Sequence, residues 1–185
     1  MDRIEMFGNI AHNIVPKVEH MLDGIDEVIE QPLEGLADAT ALCLEKMDDF
    51  ILLKEASDEQ CQEYMSDVMK LAVIAISGHL YLLGGASTAS KVANQMVDTY
   101  KRKNADYGDS FGASLDKYGP VAAHVRMSDK INRLQSLVVR KQTAQVKDES
   151  IADTFLDLAC YAIMRLVYIE MKSAEIEEEK EDADE

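Results

Sequence analysis

Three acidic side chains follow one another at four-residue spacing near the start of the last predicted helix. They are Glu149, Asp153 and Asp157, and residues four apart lie on one face of a helix. Because most neighbouring residues are apolar, these charges would repel one another and lose solvation, so they need compensation. Carboxylate oxygens suit a hard divalent cation such as Mg²⁺. Interaction with the helix dipole is an alternative for Glu149 and Asp153, but it does not extend to Asp157.

Basic side chains cluster on the helix predicted just before these acids. Arg126, Lys130 and Arg133 lie away from the apolar face of that helix. They fit an ordinary solvated surface, in which nearby opposite charges pair. They also fit a phosphate-binding surface, because arginine side chains match phosphate oxygens well. The spacing alone favours the solvated surface. Against it, we set the hypothesis that Lys130 and Arg133 face the same cavity as Asp157, which rests on the motif pattern given below.

A segment rich in glycine and aspartate separates two helices, NADYGDSFGASLDKYG at 104–119. Glycine and aspartate favour turns, so we expect a loop here with at most one short helical turn at 113–118. Tyr107 and Phe111 could stack on a base, and Asp106 or Asp109 could supply oxygen ligands. The glycine-rich phosphate-binding sequence of P-loop proteins is absent.

The hydrophobic periodicity predicts an all-α protein, a bundle of about five to seven helices. Proline and glycine are scarce, and no alternating strand pattern recurs. Ser57 and Ser87 or Thr88 are predicted to begin helices as N-caps. The predicted helices cover 1–31, interrupted at Pro16, then 33–55, 57–83, 88–103, 120–141 and 149–173. An acidic tail, 175–185, is predicted to be disordered.

The charge of the chain argues against several classes of function. The 185 residues carry a net charge of −16 and show no dominant basic patch, so we expect no direct binding to a nucleic-acid backbone. The three cysteines are far apart, which disfavours a zinc site and indicates reduced thiols. We expect no signal peptide and no membrane span, and we therefore predict a cytoplasmic protein.

Three short motifs carry a resemblance to a known family. They are KNADYGDSF at 103–111, DKINRL at 129–134 and DESIADTFLDLACYAI at 148–163. Together they resemble the phage and bacterial family called nucleotide modification associated domain type 1, over about residues 95–170. The matching positions are Lys103, Asn104, Asp106, Tyr107, Gly108, Lys130, Arg133, Glu149, Ile151, Asp157, Tyr161 and Ala162.

The resemblance implies a nucleotide or modified deoxynucleotide as the binding partner and extends the list of site residues. Metal binding is assigned to Glu149, Asp153 and Asp157, and phosphate binding to Lys103, Lys130 and Arg133. Contacts with base or sugar are assigned to Asp106, Tyr107, Gly108 and Tyr161. No residue is assigned a catalytic role, and Mg²⁺ is the expected cofactor.

The helical layout is remotely similar to the MazG-like and dimeric dUTPase group of all-α nucleotide pyrophosphohydrolases. Those enzymes bind Mg²⁺ through an E-x-x-E helix and an E-x-x-D helix, and they split a nucleoside triphosphate between its α and β phosphates. The last helix here carries E-x-x-x-D-x-x-x-D instead. The E-x-x-E matches, Glu27/Glu30 and Glu175/Glu178, do not lie where a second metal-binding helix is required.

These observations leave three hypotheses. The first is a Mg²⁺-dependent pyrophosphohydrolase-like enzyme, and the second is a non-catalytic helical module that binds a nucleotide or a protein. The third, suggested by charge alone, is an acidic DNA mimic. We expect one compact unit, with packing helices at 1–85, the nucleotide-associated domain at 86–174 and the tail at 175–185. Similarity to dimeric enzymes also suggests a homodimer.

The composition of the tail yields a test. Residues 175–185 contain eight acids and one large aliphatic residue, Ile176, so this segment cannot bury enough apolar surface to contribute to folding. Deleting 175–185 is expected to leave the midpoint of thermal unfolding nearly unchanged, measured by circular dichroism. A large fall in the midpoint would show that the tail packs against the rest of the protein.

Overall fold

The computed structural model describes residues 1–28, 31–51, 56–143 and 149–183. Over these ranges the protein is all-α, as predicted, with seven α-helices and one π-helical segment. The α-helices are α1 (Arg3–Val28), α2 (Pro32–Ile51), α3 (Asp58–Leu82), α4 (Ala89–Tyr107), α5 (Ser110–Tyr118), α6 (Val121–Leu134) and α7 (Ile151–Ala183). The π-helical segment, Gln135–Val139, continues directly from α6.

Helix α3 lies at the centre of the bundle and contacts α1, α2, α4 and α7. Its residues from Leu71 to Leu80 are all buried, which is typical of a helix that is apolar on every side. It has the length and hydropathy of a membrane span, but 67% of that apolar window is buried against other helices. These properties are those of a core helix in a folded bundle.

Local capping signals explain where several helices begin. Ser57 and Gln60 form a reciprocal capping box at the start of α3, and the Thr88 hydroxyl accepts a hydrogen bond from the backbone N–H of Lys91 at the start of α4. Both N-caps were predicted from the sequence. At the start of α7, Ser150 and Asp153 exchange side-chain to backbone hydrogen bonds of 3.0 and 3.2 Å.

The prediction that Pro16 interrupts the first helix is wrong, because α1 runs through it without a break. Pro16 is exposed, whereas Ile14 and Val18 on either side of it are fully buried. A proline costs an interior helix one hydrogen bond. Burial of the apolar face on both sides of Pro16 outweighs that cost here.

The prediction of a long loop at 104–119 is also wrong. Helix α4 extends to Tyr107, and α5 forms a second helix within the segment. Asp109 begins α5 as its N-cap and accepts a hydrogen bond from the backbone N–H of Gly112 at 3.1 Å. Gly108 and Gly119 flank α5 with positive φ angles of 61° and 69°, so the glycines turn the chain between helices and do not make a loop.

The acidic tail differs from its prediction as well. Helix α7 continues to Ala183, so the described part of the tail is helical, while 184–185 lie outside the described residues. Side chains 173–179 are exposed, as a solvated segment requires. Predicted helix residues 29–31 and 52–55 fall partly or wholly outside the described ranges, as do 144–148 of the connection before α7.

One close approach fixes the spacing of α3 and α7. A Cβ atom built on Gly78 of α3 would lie 2.6 Å from Cε1 of Phe155, and the Phe155 side chain is fully buried in α7. Because a buried ring in a packed core has little room to move, no side chain larger than hydrogen fits at Gly78 without repacking.

Replacement of this glycine gives a test of the α3–α7 packing. Gly78→Ala is expected to lower the free energy of unfolding by about 1–3 kcal/mol through overpacking, measured by urea denaturation. The control is Gly24→Ala in α1, where a Cβ atom meets nothing within 4 Å. That change is expected to raise stability by about 0.5–1 kcal/mol. Equal stability of Gly78→Ala and the wild type would contradict the close approach.

Candidate functional site

The ammonium group of Lys130 on α6 lies between two of the predicted site acids. Its Nζ is 2.8 Å from Oε1 of Glu149 and 2.9 Å from Oδ2 of Asp157. The side chains of Lys130, Glu149 and Asp157 are 21%, 32% and 38% exposed, so the bridge is partly shielded from water. The Lys130–Asp157 contact joins α6 to α7. Neither Lys130 nor Arg133, however, lines the cavity beside Asp157 that is described below, although the hypothesis from the sequence placed both there.

Arg133 fixes the start of α7 one turn further along α6. It donates from Nη2 to the backbone carbonyl of Glu149 at 2.6 Å and from Nε to the Thr154 hydroxyl at 3.1 Å. Thr154 is fully buried, so the guanidinium satisfies a polar group inside the α6–α7 contact. Lys130 and Arg133 thus face α7 and not open solvent.

The three acids predicted to bind a metal do not converge. Glu149 lies before α7, whose first residue is Ile151, and it is held by Lys130. Asp153 is hydrogen-bonded to the Ser150 hydroxyl at 2.7 Å and serves as the capping partner of Ser150. Among the described residues, no group of three or more histidine, cysteine or acidic side chains could hold a metal ion. In this arrangement Lys130 pairs with both Glu149 and Asp157, and the assignment of the three acids to a Mg²⁺ site stays a prediction.

Hydrogen bonding sets the protonation of these groups. The hydrogen bond from Lys130 holds the pKa of Glu149 below its ordinary value of 4.5. Burial alone would lower the pKa of Lys130, but its hydrogen bonds to Glu149 and Asp157 raise it overall. The hydrogen bond from Ser150 likewise lowers the pKa of Asp153. The bridge is therefore an ion pair at neutral pH.

A cavity of about 470 Å³ opens beside Asp157. It is bounded by α4, α5, α6 and α7, and its lining includes Lys103 and Gly108 at the C-terminal end of α4. Most of the wall consists of polar, charged and aromatic side chains. The lining residues of most chemical interest are Lys103, Asn104, Asp109, Phe111, Arg126, Asp157, Cys160 and Tyr161. Its volume lies in the range of sites for small molecules.

Two aromatic rings form one wall of this cavity. The ring centroids of Phe111 on α5 and Tyr161 on α7 are 5.9 Å apart, with the planes tilted by 32°. Both side chains are only partly buried, so their faces can take part in stacking with a planar ligand. Tyr161 was predicted to contact base or sugar, and Phe111 was considered as a stacking surface.

Helix α5 is held over the cavity from both of its ends. Asp109 at its N-terminus forms an ion pair with Arg3 of α1. Asp116 near its C-terminus accepts a 2.7 Å hydrogen bond from the Tyr168 hydroxyl of α7. Leu115 is buried beneath the helix. These contacts place Phe111 against the cavity.

Cys160 lines the cavity but is not a candidate nucleophile. Burial raises the pKa of its thiol to about 12. The reactive form of a cysteine is the thiolate, so this side chain remains a neutral thiol at physiological pH. Its role is to pack the wall between Asp157 and Tyr161.

Some of the remaining predicted site residues line the cavity, and others do not. Lys103, Gly108, Asp157 and Tyr161 line the cavity, whereas Lys130 and Arg133 contact the acids without lining it. Asp106 is exposed and lies outside the cavity wall. The side chain of Tyr107 is outside the described part of the structure.

Arg126 lines the cavity; it belonged to the basic surface considered for phosphate binding but was not among the residues assigned to it. It lies four residues before Lys130, so it shares that residue's side of α6. This spacing was the available signal for it. Asn104 also lines the cavity, and its place in the family motif was the available sequence signal for it.

The part of the chain that matches a known family is the part that builds most of this cavity. Residues 103–169 match the family nucleotide modification associated domain 1. The match confirms the resemblance seen in the three sequence motifs, and it runs from the last residues of α4 through most of α7. No curated protein and no solved structure matches the chain. The name of this family refers to nucleotides. The matched segment of the chain contains five of the residues that line the cavity: Lys103, Phe111, Arg126, Asp157 and Tyr161.

The bridge yields a pH-dependent test. Lys130→Met leaves Glu149 and Asp157 without their shared cation, so it is expected to lower the free energy of unfolding by about 1–3 kcal/mol at pH 7. Because the folded pKa of Glu149 is depressed, the stability it contributes is present above pH 4.5 and lost as pH falls through the folded pKa. The difference between the variant and the wild type should therefore shrink in acid.

Urea denaturation from pH 7 to pH 3 measures this difference. The control is Lys91→Met, an exposed lysine on α4, which is expected to change stability by less than about 0.5 kcal/mol. A Lys130→Met effect no larger than that of Lys91→Met, or one independent of pH, would show that the bridge does not stabilise the fold.

Proposed function

We propose that this protein binds a nucleotide in the cavity between α4, α5, α6 and α7. The observation that supports it most strongly is the composition of the wall. The wall combines an aromatic pair, Phe111 and Tyr161, with two basic side chains, Lys103 and Arg126. Aromatic faces suit a base, and basic groups suit a phosphate. These four residues all lie in the segment that matches a nucleotide-associated family.

Asp157 adds a hydrogen-bond acceptor to the same wall. Its carboxylate has Lys130 on one oxygen and a distant Lys103, 4.0 Å away, near the other. An ionised carboxylate can accept several hydrogen bonds, so capacity remains for a ligand donor such as a sugar hydroxyl. Because Lys130 offsets its charge, Asp157 can lie in a site for an anionic ligand.

Among the hypotheses from the sequence, this proposal corresponds to the nucleotide-binding module. Pyrophosphate release from a nucleoside triphosphate requires acids that are free to hold Mg²⁺. Here Lys130 bridges Glu149 and Asp157, and Asp153 caps α7. We therefore propose binding without assigning a reaction to the cavity.

Calorimetric titration tests the proposal. The probes are the four common deoxynucleoside monophosphates and triphosphates together with 5-hydroxymethyldeoxycytidine monophosphate, each with and without Mg²⁺. At least one is expected to bind with one-to-one stoichiometry. Phe111→Leu removes a stacking surface and is expected to weaken that binding by about 1–3 kcal/mol.

The control is Phe50→Leu. Phe50 also belongs to a stacked aromatic pair, with Tyr64 at a centroid distance of 4.2 Å, but neither ring lines the cavity. Its replacement is expected to leave affinity unchanged. Failure of every probe to bind the wild type would reject the proposed function, and equal affinity of Phe111→Leu and the wild type would reject the cavity as the site.

A further inference from the structure

Four charged side chains face the cavity, and the two acids among them are already paired. Asp109 forms its ion pair with Arg3, and Asp157 forms one with Lys130 at 2.9 Å. The partners Arg3 and Lys130 do not line the cavity. Lys130 also pairs with Glu149, which has Arg133 3.8 Å away. Two cations therefore balance Glu149 and Asp157, and Arg3 balances Asp109.

The two basic side chains facing the cavity form no close ion pair: Lys103 has only a long contact with Asp157, and Arg126 has none among the described residues. The Nζ of Lys103 is 4.0 Å from the nearest oxygen of Asp157, and the Lys103 side chain is 64% exposed. Arg126 is exposed and forms no ion pair with any residue that the structure describes. Both side chains are long and flexible, so both can reorient towards an anion without breaking a close contact.

Two cations that form no close ion pair match the charge of one phosphate group. A phosphate monoester near neutral pH carries close to two negative charges, and an arginine with a lysine supplies both a planar donor pair and a point charge. Each further phosphate would add negative charge that no further cation lining the cavity can match, in a protein whose net charge is already −16. Like charges at short range repel strongly in a partly enclosed site.

We infer that the ligand of this cavity is a nucleoside monophosphate, bound without a resident metal ion, whose phosphate is recognised by Lys103 and Arg126. This inference rests on the proposed function and specifies its ligand class. Lys130 serves as a positioning residue, because it holds Asp157 and offsets its charge without reaching the cavity.

A phosphate series tests this inference. Deoxynucleosides and their mono-, di- and triphosphates, with the bases named above, are titrated calorimetrically into the full chain in EDTA and again with Mg²⁺. The monophosphate is expected to bind at least tenfold more tightly than its nucleoside. The second and third phosphates are expected to add no affinity, and Mg²⁺ is expected to leave monophosphate affinity unchanged.

Matched variants locate the phosphate. The double variant Lys103→Met with Arg126→Met is expected to remove the tenfold advantage of monophosphate over nucleoside while leaving nucleoside affinity unchanged. The control, Lys91→Met with Lys101→Met, removes two exposed cations of α4 that do not line the cavity. It is expected to preserve the advantage.

The outcomes separate this inference from the proposed function. Triphosphate binding tenfold tighter than monophosphate binding, or equal affinity for nucleoside and monophosphate, overturns the inference while nucleotide or nucleoside binding stands. An unchanged phosphate advantage in the Lys103 and Arg126 variant overturns the assignment of these residues. Absence of binding by every compound overturns the proposed function itself.

Discussion

The ammonium group of Lys130, lying within 3 Å of both Glu149 and Asp157, sets how α6 and α7 meet. Glu149 precedes α7, and Asp157 lies in its second turn. One cation therefore holds both the residue that leads into α7 and the helix itself. Arg133 adds hydrogen bonds to the Glu149 carbonyl and to Thr154. With the start of α7 held in this way, Asp157, Cys160 and Tyr161 form a continuous wall of the cavity.

The same bridge governs the electrostatics of the cavity. A chain with net charge −16 would ordinarily repel an anionic ligand. Outside the cavity, Lys130 and Arg133 balance Asp157 and Glu149, and Arg3 balances Asp109. Inside it, Lys103 and Arg126 form no close ion pair with any described residue. The neutral thiol of Cys160, whose pKa burial raises to about 12, adds no further charge. An acidic protein can thereby present a locally favourable site for a phosphate.

Local features of the sequence were sufficient to predict much of the fold. Apolar periodicity identified the helices, and Ser57 and Thr88 marked two of their starts because capping depends on neighbouring residues alone. The predictions of helix boundaries were wrong at positions where tertiary packing, and not the local sequence, determines the structure. Pro16 remains inside α1 because buried residues flank it, and α5 forms in a glycine-rich segment because Leu115 is buried and Asp109 and Asp116 are tied to α1 and α7.

The site was predicted less completely, for a related reason. The family motif and the burial of α7 both singled out Asp157, which lies on the cavity wall. The spacing of Glu149, Asp153 and Asp157 suggested a shared ligand, but the pairing of each acid depends on partners that spacing does not reveal. Asp153 has a local partner, Ser150, whereas Lys130 reaches Glu149 and Asp157 from a different helix.

The central claim is that the cavity between α4 and α7 holds a nucleotide, and a crystal structure of the protein with a bound deoxynucleoside monophosphate tests it most directly. The predicted result is electron density for the base beside Phe111 and Tyr161, with phosphate oxygens within hydrogen-bonding distance of Lys103 and Arg126 and with the Lys130 bridge intact. Density for the nucleotide at another surface, or at Glu149 and Asp157 through a metal ion that displaces Lys130, would contradict the account.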